Sequence, residues 1–342
     1  MNTDILAKRL WKKGKASRWY AKQPWITGAN FTPSTAVNEL EMWQAETFDP
    51  AIIDRELGWA ASIGFNTMRV FLHYLPWVQD PEGFKDRLKR YLGISWKHRI
   101  RTMFVFFDDC WNPEPKLGKQ PAPRPGVHNS GWLQCPGQKQ VTDTSLFPVL
   151  EDYVKGILKA FKHDKRVLMW DLYNEPGNSK HENETLPLLT ETACWARSVN
   201  PSQPLTIGLW NEAFAELNAF QVANSDIISF HNYSNSEDLF NNITRLKKHG
   251  RPLVCTEYLA RGNKSLFQTC MPELKKEKVG AINWGLVSGK IQTIWPWNSP
   301  EQPGKAWDSI EPPLWHHDIF RRDGTPYDPK ETELIYQLNC PV

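Results

Sequence analysis

Residues 167–176 run VLMWDLYNEP: seven mostly apolar residues, then an amide, a carboxyl and a proline. A short run with apolar side chains at successive positions marks a strand buried on both faces. Glu175 therefore stands where such a strand ends, and Pro176 breaks its hydrogen-bond ladder.

The same pattern recurs on both sides of this stretch. Upstream lie residues 26–31 (ITGANF), 67–72 (TMRVFL) and 102–107 (TMFVFF); downstream lie 205–209 (LTIGL), 227–233 (IISFHNY), 253–258 (LVCTEY) and 281–287 (AINWGLV). Helical patterns separate them at 50–62, 82–98, 146–161, 187–198 and 265–278. Eight strand candidates alternating with helices predict an α/β fold, the (β/α)8 TIM barrel. Long loops follow strands 1 (residues 32–49), 3 (108–145) and 8 (288–326), all at the carboxyl face where barrel enzymes place their sites. No repeat, low-complexity tract or linker divides the chain. Residues 1–342 are thus expected to form a single catalytic barrel domain, with 1–25 as an N-terminal helical extension.

Composition removes several functions. The net charge is only +3, and the cluster Lys12, Lys13, Lys15 and Arg18 suits a solvated helix face, so no nucleic-acid partner is expected. No stretch reaches transmembrane length, so no membrane partner is expected either. No apolar signal core follows Met1, which fits a cytosolic chain or an exported one whose signal has been removed. Six cysteines show no CxxC spacing, which argues against a zinc site. Cys255 belongs to an apolar strand and reads as a buried thiol. Cys110 and Cys135 share one loop and could pair in an oxidising compartment. The pair His316-His317 fits loop packing better than metal binding, because neighbouring side chains diverge. Neither a metal nor an organic cofactor is expected, and oligomeric state is not legible. Tryptophan is the outlier: 17 residues exceed what a core needs, and indole faces stack well on sugar rings.

Polar residues at the strand ends supply the chemistry. Strand 2 carries Arg69, with His73 just beyond; strand 3 ends in Asp108 and Asp109, with Trp111 next to them. Strand 4 ends in Asn174 and Glu175, strand 6 in His231 and Tyr233, strand 7 in Glu257, and strand 8 carries Trp284. Strands 4 and 7 face each other across a barrel mouth. Two carboxyls across one cleft suit glycosidic cleavage, one protonating the leaving oxygen and the other attacking the anomeric carbon.

This set, in this strand order, resembles the clan A glycoside hydrolases and most of all family 5, over residues 28–336. The resemblance implies Glu175 as acid/base, Glu257 as nucleophile, Arg69 supporting the nucleophile, His231 and Tyr233 lining the pocket, and Trp284 as a sugar platform. Asn174 forms the strand-4 pair with Glu175. One departure stands out: the family usually has a His at the end of strand 3, where this chain has Asp108 and Asp109. Residues 38–43 (NELEMW) also differ from common cellulases.

The expected function is retaining hydrolysis of a β-linked glycoside, exo-acting or on short oligosaccharides because of the long loops. Endo-acting glycanase, transglycosylase and non-catalytic carbohydrate-binding barrel are the alternatives. His73, Asp108, Asp109 and Trp111 are further substrate-contact candidates, against the plainer reading of satisfied loop residues. Of six loop tryptophans (Trp43, Trp111, Trp132, Trp210, Trp295 and Trp297), two or three are expected to meet substrate and the rest to staple loops.

Overall fold

The computed structural model describes residues 3–340. Its eight parallel strands are β1 (Thr27–Asn30), β2 (Thr67–Phe71), β3 (Arg101–Asp108), β4 (Val167–Asn174), β5 (Leu205–Thr206), β6 (Ile228–His231), β7 (Leu253–Glu257) and β8 (Gly280–Asn283). They pair in the order β5-β4-β3-β2-β1-β8-β7-β6, with β1 joined to both β2 and β8. The remaining seam closes through Leu209, which bridges to Phe230 just past the end of β5. This is a TIM barrel, with helices between the strands.

The helices form for local reasons. Asp49 and Asp80 cap Pro50–Ser62 and Pro81–Lys97, each accepting from first-turn backbone N–H groups, and each helix has proline in its first turn. Phe147–Phe161 buries Leu150, Tyr153, Val154, Ile157, Leu158 and Phe161, one stripe at helical spacing against the sheet. The sequence extends β8 to residue 287, but the strand stops at Asn283. There the Asn283 side chain donates to the carbonyls of Trp284 and Gly285, and Gly285 turns with φ 80°.

Helices Asp4–Arg9 and Lys13–Ala21 precede the barrel. Trp11, between them, packs with Ile26, Met103, Met169, Val254 and Ile282 and so plugs the amino end of the barrel. Its backbone is tied down by Asp226 and Arg251. At the other end the long loops are stapled inward. Trp43 is fully buried, and its indole N–H donates to the Phe71 carbonyl at the end of β2. The loop after β3 returns through paired backbone hydrogen bonds between Asp108 and Cys135. Among the described residues no helix is long and apolar enough to cross a membrane.

Candidate active site

The site is built on one buried guanidinium. Arg69, on β2, is wholly inside the barrel, where an unpaired charge would be prohibitively costly. All five of its N–H groups are used. Nη1 donates to Glu257 Oε1 (2.7 Å) and Asn30 Oδ1 (2.9 Å), Nη2 to Asn174 Oδ1 (2.7 Å) and Asp171 Oδ2 (2.8 Å), and Nε again to Asp171 Oδ2 (3.0 Å). Sequence reasoning missed Asp171 and Asn30. A signal for Asp171 was present, since it is the one charge inside the apolar run of β4.

Glu257 ends β7, and its second oxygen, Oε2, accepts from the Tyr233 hydroxyl at 2.7 Å. Glu175 follows β4 directly, in the left-handed region at φ 44°. A residue with a Cβ adopts that conformation only where its surroundings hold it there. Here the holders are specific: His231 Nδ1 lies 2.8 Å from Oε1, Asn178 donates to Oε2 at 2.6 Å, and the Cys110 thiol meets Oε2 at 3.3 Å. One ligand atom each from Glu175, His231 and Glu257 lie within 4.8 Å of one another. Three such donors could chelate a cation. Arg69 already presses a positive charge on Glu257, which opposes a second one.

Burial raises the pKa of both carboxyls. At Glu257, His231 and Arg69 counteract it; at Glu175 the opposing groups are mainly neutral donors, Cys110 and Asn178. His231 is pushed down to about 4 by the same burial and is neutral at pH 7.

A cavity of about 520 Å³ opens above the pair. Five indoles frame it: Trp132 and Trp284 are buried in its floor and wall, Trp111 and Trp297 stand partly exposed, and Trp210 completes the ring. Asp108, Asn174 and Tyr233 also line it, and among the described residues no lysine or arginine does. Asp108 accepts from the Trp132 indole, the Asn174 amide and the Cys110 N–H, and burial pushes its pKa up to about 7.

Of the residues singled out from sequence, Arg69, Asn174, Glu175, His231, Tyr233 and Glu257 form one bonded network, and Asp108, Trp111 and Trp284 line the cavity. His73 and Asp109 do not line it. His73 is buried as the cap of Tyr74–Gln79, accepting from Leu75 N, with Nε2 against the Gln134 carbonyl. Asp109 points away from its neighbour Asp108 and holds the turn after β4, accepting from the Tyr173 hydroxyl, Gly177 N and the Thr185 hydroxyl. Four of the six loop tryptophans, Trp111, Trp132, Trp210 and Trp297, line the cavity, while Trp43 and Trp295 are buried staples. Cys110 and Cys135 are both free thiols: Cys110 faces Glu175, whereas Cys135 packs into the main core. His316 and His317 are buried against Trp297, as loop packing requires. His128, Asn129, Asn178 and Ser179 also line the cavity and were not anticipated; they lie on irregular loops, where no periodicity points to them.

A barrel with a carboxyl pair on β4 and β7, one of them on a buried arginine, has the architecture of a clan A glycoside hydrolase. Residues 126–290 match the family model described as Cellulase (glycosyl hydrolase family 5), a span that contains both Glu175 and Glu257. Over that span, a little under half of the chain, the sequence is similar to glycosyl hydrolase family 5. No curated protein matches it by sequence. Among similar solved structures is the exo-beta-1,4-mannosidase Op5Man5 from Opitutaceae bacterium strain TAV5, at TM-score 0.64 and 16% identity over 92% of this chain. This chain spans only 59% of that protein. A GH5_18 protein from Streptomyces cattleya in complex with Manb1-4GlcNAc superposes at TM-score 0.63 and 12% identity, over 94% of this chain and 82% of the other. The endo-beta-1,4-mannanase from Thermotoga petrophila gives TM-score 0.58 and 14% identity, over 94% and 77%. At these identities the likeness is one of fold.

Proposed function

We propose that the chain, acting as one catalytic barrel unit, hydrolyses a β-linked glycoside with net retention, through Glu257 as nucleophile and Glu175 as acid/base. The observation that carries this reading is the spacing of the pair: an oxygen of each carboxyl lies within 4.8 Å of the other. A retaining pair needs roughly 5–5.5 Å, while an inverting pair needs about 6.5–9.5 Å to admit a water.

The proton assignment follows from the partners. Two coupled buried carboxyls do not both ionise readily, so the charge goes to the one touching a cation. That is Glu257, at 2.7 Å from Arg69; Glu175 touches no cation directly. Glu257 Oε2, held by the Tyr233 hydroxyl, attacks the anomeric carbon while the bond to the leaving oxygen breaks. Glu175 gives that oxygen its proton. The glycosyl ester on Glu257 is then cleaved by water, whose proton returns to Glu175. The sequence balances without a metal or an organic cofactor.

For the sugar, the neighbouring structures favour a β-mannoside. The loop after β3 contributes Trp111, His128, Asn129 and Trp132 to the cavity and the loop after β8 contributes Trp297, while the loop after β1 does not line it; this partly walled cavity favours exo action or short oligosaccharides. The test is a panel of aryl β-glycosides and β-1,4-manno-oligosaccharides, with Glu175→Gln and Glu257→Gln beside the parent. Turnover with retained anomeric configuration, lost in both variants, is the expected outcome. Full activity of Glu257→Ala on an activated aryl glycoside overturns the nucleophile assignment. A rapid viscosity drop with a long mannan overturns the exo reading.

A further inference from the structure

β3 ends at Asp108, and the Asp108 carboxyl accepts the Cys110 N–H at 3.0 Å, an Asx-type turn that bends the chain back toward β4. The bend puts the Cys110 sulfur in the cavity wall, 3.3 Å from Glu175 Oε2. The sulfur is itself held, with the Asn174 amide at 3.5 Å and the Asn178 amide at 3.4 Å. Asn178 closes the arrangement by donating to the same Oε2 at 2.6 Å. One carboxyl oxygen thus carries a thiol and an amide, which also touch each other, while the other oxygen faces His231.

We infer that Cys110 is a positioning residue for the acid/base: its S–H, with the Asn178 amide, fixes the orientation of the Glu175 carboxyl toward the leaving oxygen. This rests on the assignment of Glu175 made above. The thiol suits the task because it stays protonated. Burial, together with the negative charges of Asp108 and Glu175, pushes its pKa well up, so it donates at any working pH and adds no charge. It is a weaker donor than a hydroxyl. Glu175 is therefore held in place without losing the ability to take its proton back in the second step. The thiol also replaces bulk water at Oε2, since Cys110 is only 7% exposed.

The experiment compares Cys110→Ala and Cys110→Ser with the parent by kcat/KM across pH. It uses two probes: 2,4-dinitrophenyl β-mannoside, whose leaving group needs no acid, and β-1,4-mannobiose, whose leaving group does (the matching β-glucosides serve if mannosides are not turned over). Losing one modest hydrogen bond corresponds to roughly a five-fold effect. Cys110→Ala is expected to lose about that factor on the disaccharide and little on the aryl glycoside. Its alkaline limb should move to higher pH, because a donor to the ionised carboxyl has gone. Cys110→Ser should restore most of both. Equal losses on the two probes, or an unmoved alkaline limb in Cys110→Ala, overturn the inference. Thermal midpoints measured alongside keep misfolding from passing as loss of orientation, and a folded Asn178→Ala variant gives a second reading of the same limb. Glu175→Gln on the same probes separates the two claims. If it keeps parental activity on the disaccharide, the acid/base assignment fails; if it loses that activity while the Cys110 variants behave as parent, only the role of Cys110 fails.

Discussion

Glu257 and Glu175 reach the cavity from opposite sides of the barrel and are held in opposite ways. Glu257 ends a regular strand and rests on Arg69, whose other donors bind Asn30, Asp171 and Asn174. Its position is written into the barrel interior. Glu175 stands one residue past its strand, in a left-handed conformation, and neutral groups from loops keep it there: Cys110, Asn178 and the ring of His231. The nucleophile role proposed for Glu257 needs an ionised, fixed carboxyl, which a buried cation favours. The acid/base role proposed for Glu175 needs a carboxyl that changes charge twice per turnover, and neutral donors permit that change.

The comparison breaks most visibly at Arg69. Arg69→Met would leave Asp171 and Glu257 buried without their counter-charge, and we expect a loss of about 3–5 kcal/mol in urea unfolding together with loss of activity. A variant as stable as the parent would mean the interior network is not what holds Glu257. Glu175→Gln should do the reverse: near-parental stability, with kcat/KM on an unactivated glycoside reduced roughly 10²–10⁴-fold. Its pH profile sharpens the contrast. Burial raises the Glu175 pKa, so its proton is present below that raised value and lost as pH climbs through it. On an unactivated glycoside the parent should therefore keep activity above the ordinary carboxylate range and then lose it, whereas on a dinitrophenyl glycoside, whose leaving group needs no acid, that alkaline limb should be absent. Tyr233→Phe removes one hydrogen bond from Glu257 and should lower kcat about ten-fold, with folding unchanged. Trp111→Ala touches neither carboxyl. It should raise KM a few-fold through a lost stacking face, with kcat little altered; a collapse of kcat would instead place Trp111 in the support of Glu175.

The same division explains what could be read from the sequence. Strand-borne features were legible, because an apolar run that ends in a polar residue announces both the strand and the group at its mouth. Asn174, His231 and Glu257 follow from that pattern, whereas Arg69 stands inside its strand and Tyr233 two residues past its own. Loop-borne features were not. Cys110 and Asn178 reach Glu175 only because two turns fold back on each other, and no spacing encodes that meeting. Asp108 and Asp109 show the limit within a single step of chain. Adjacent residues at a strand end point to opposite sides, so one lines the cavity while the other anchors a turn. His73 looked like a mouth residue by position, yet its ring caps the short helix that begins at Tyr74.

The lining of the cavity sets a boundary on diet. Its acidic groups are Asp108, Glu175 and Glu257, and the nearest guanidinium, that of Arg69, has no donor left to offer a guest. A uronate or sulfated sugar entering here would shed its hydration beside the ionised Glu257, with no basic side chain among the described lining residues to receive it. The lining therefore favours neutral sugar units over acidic ones.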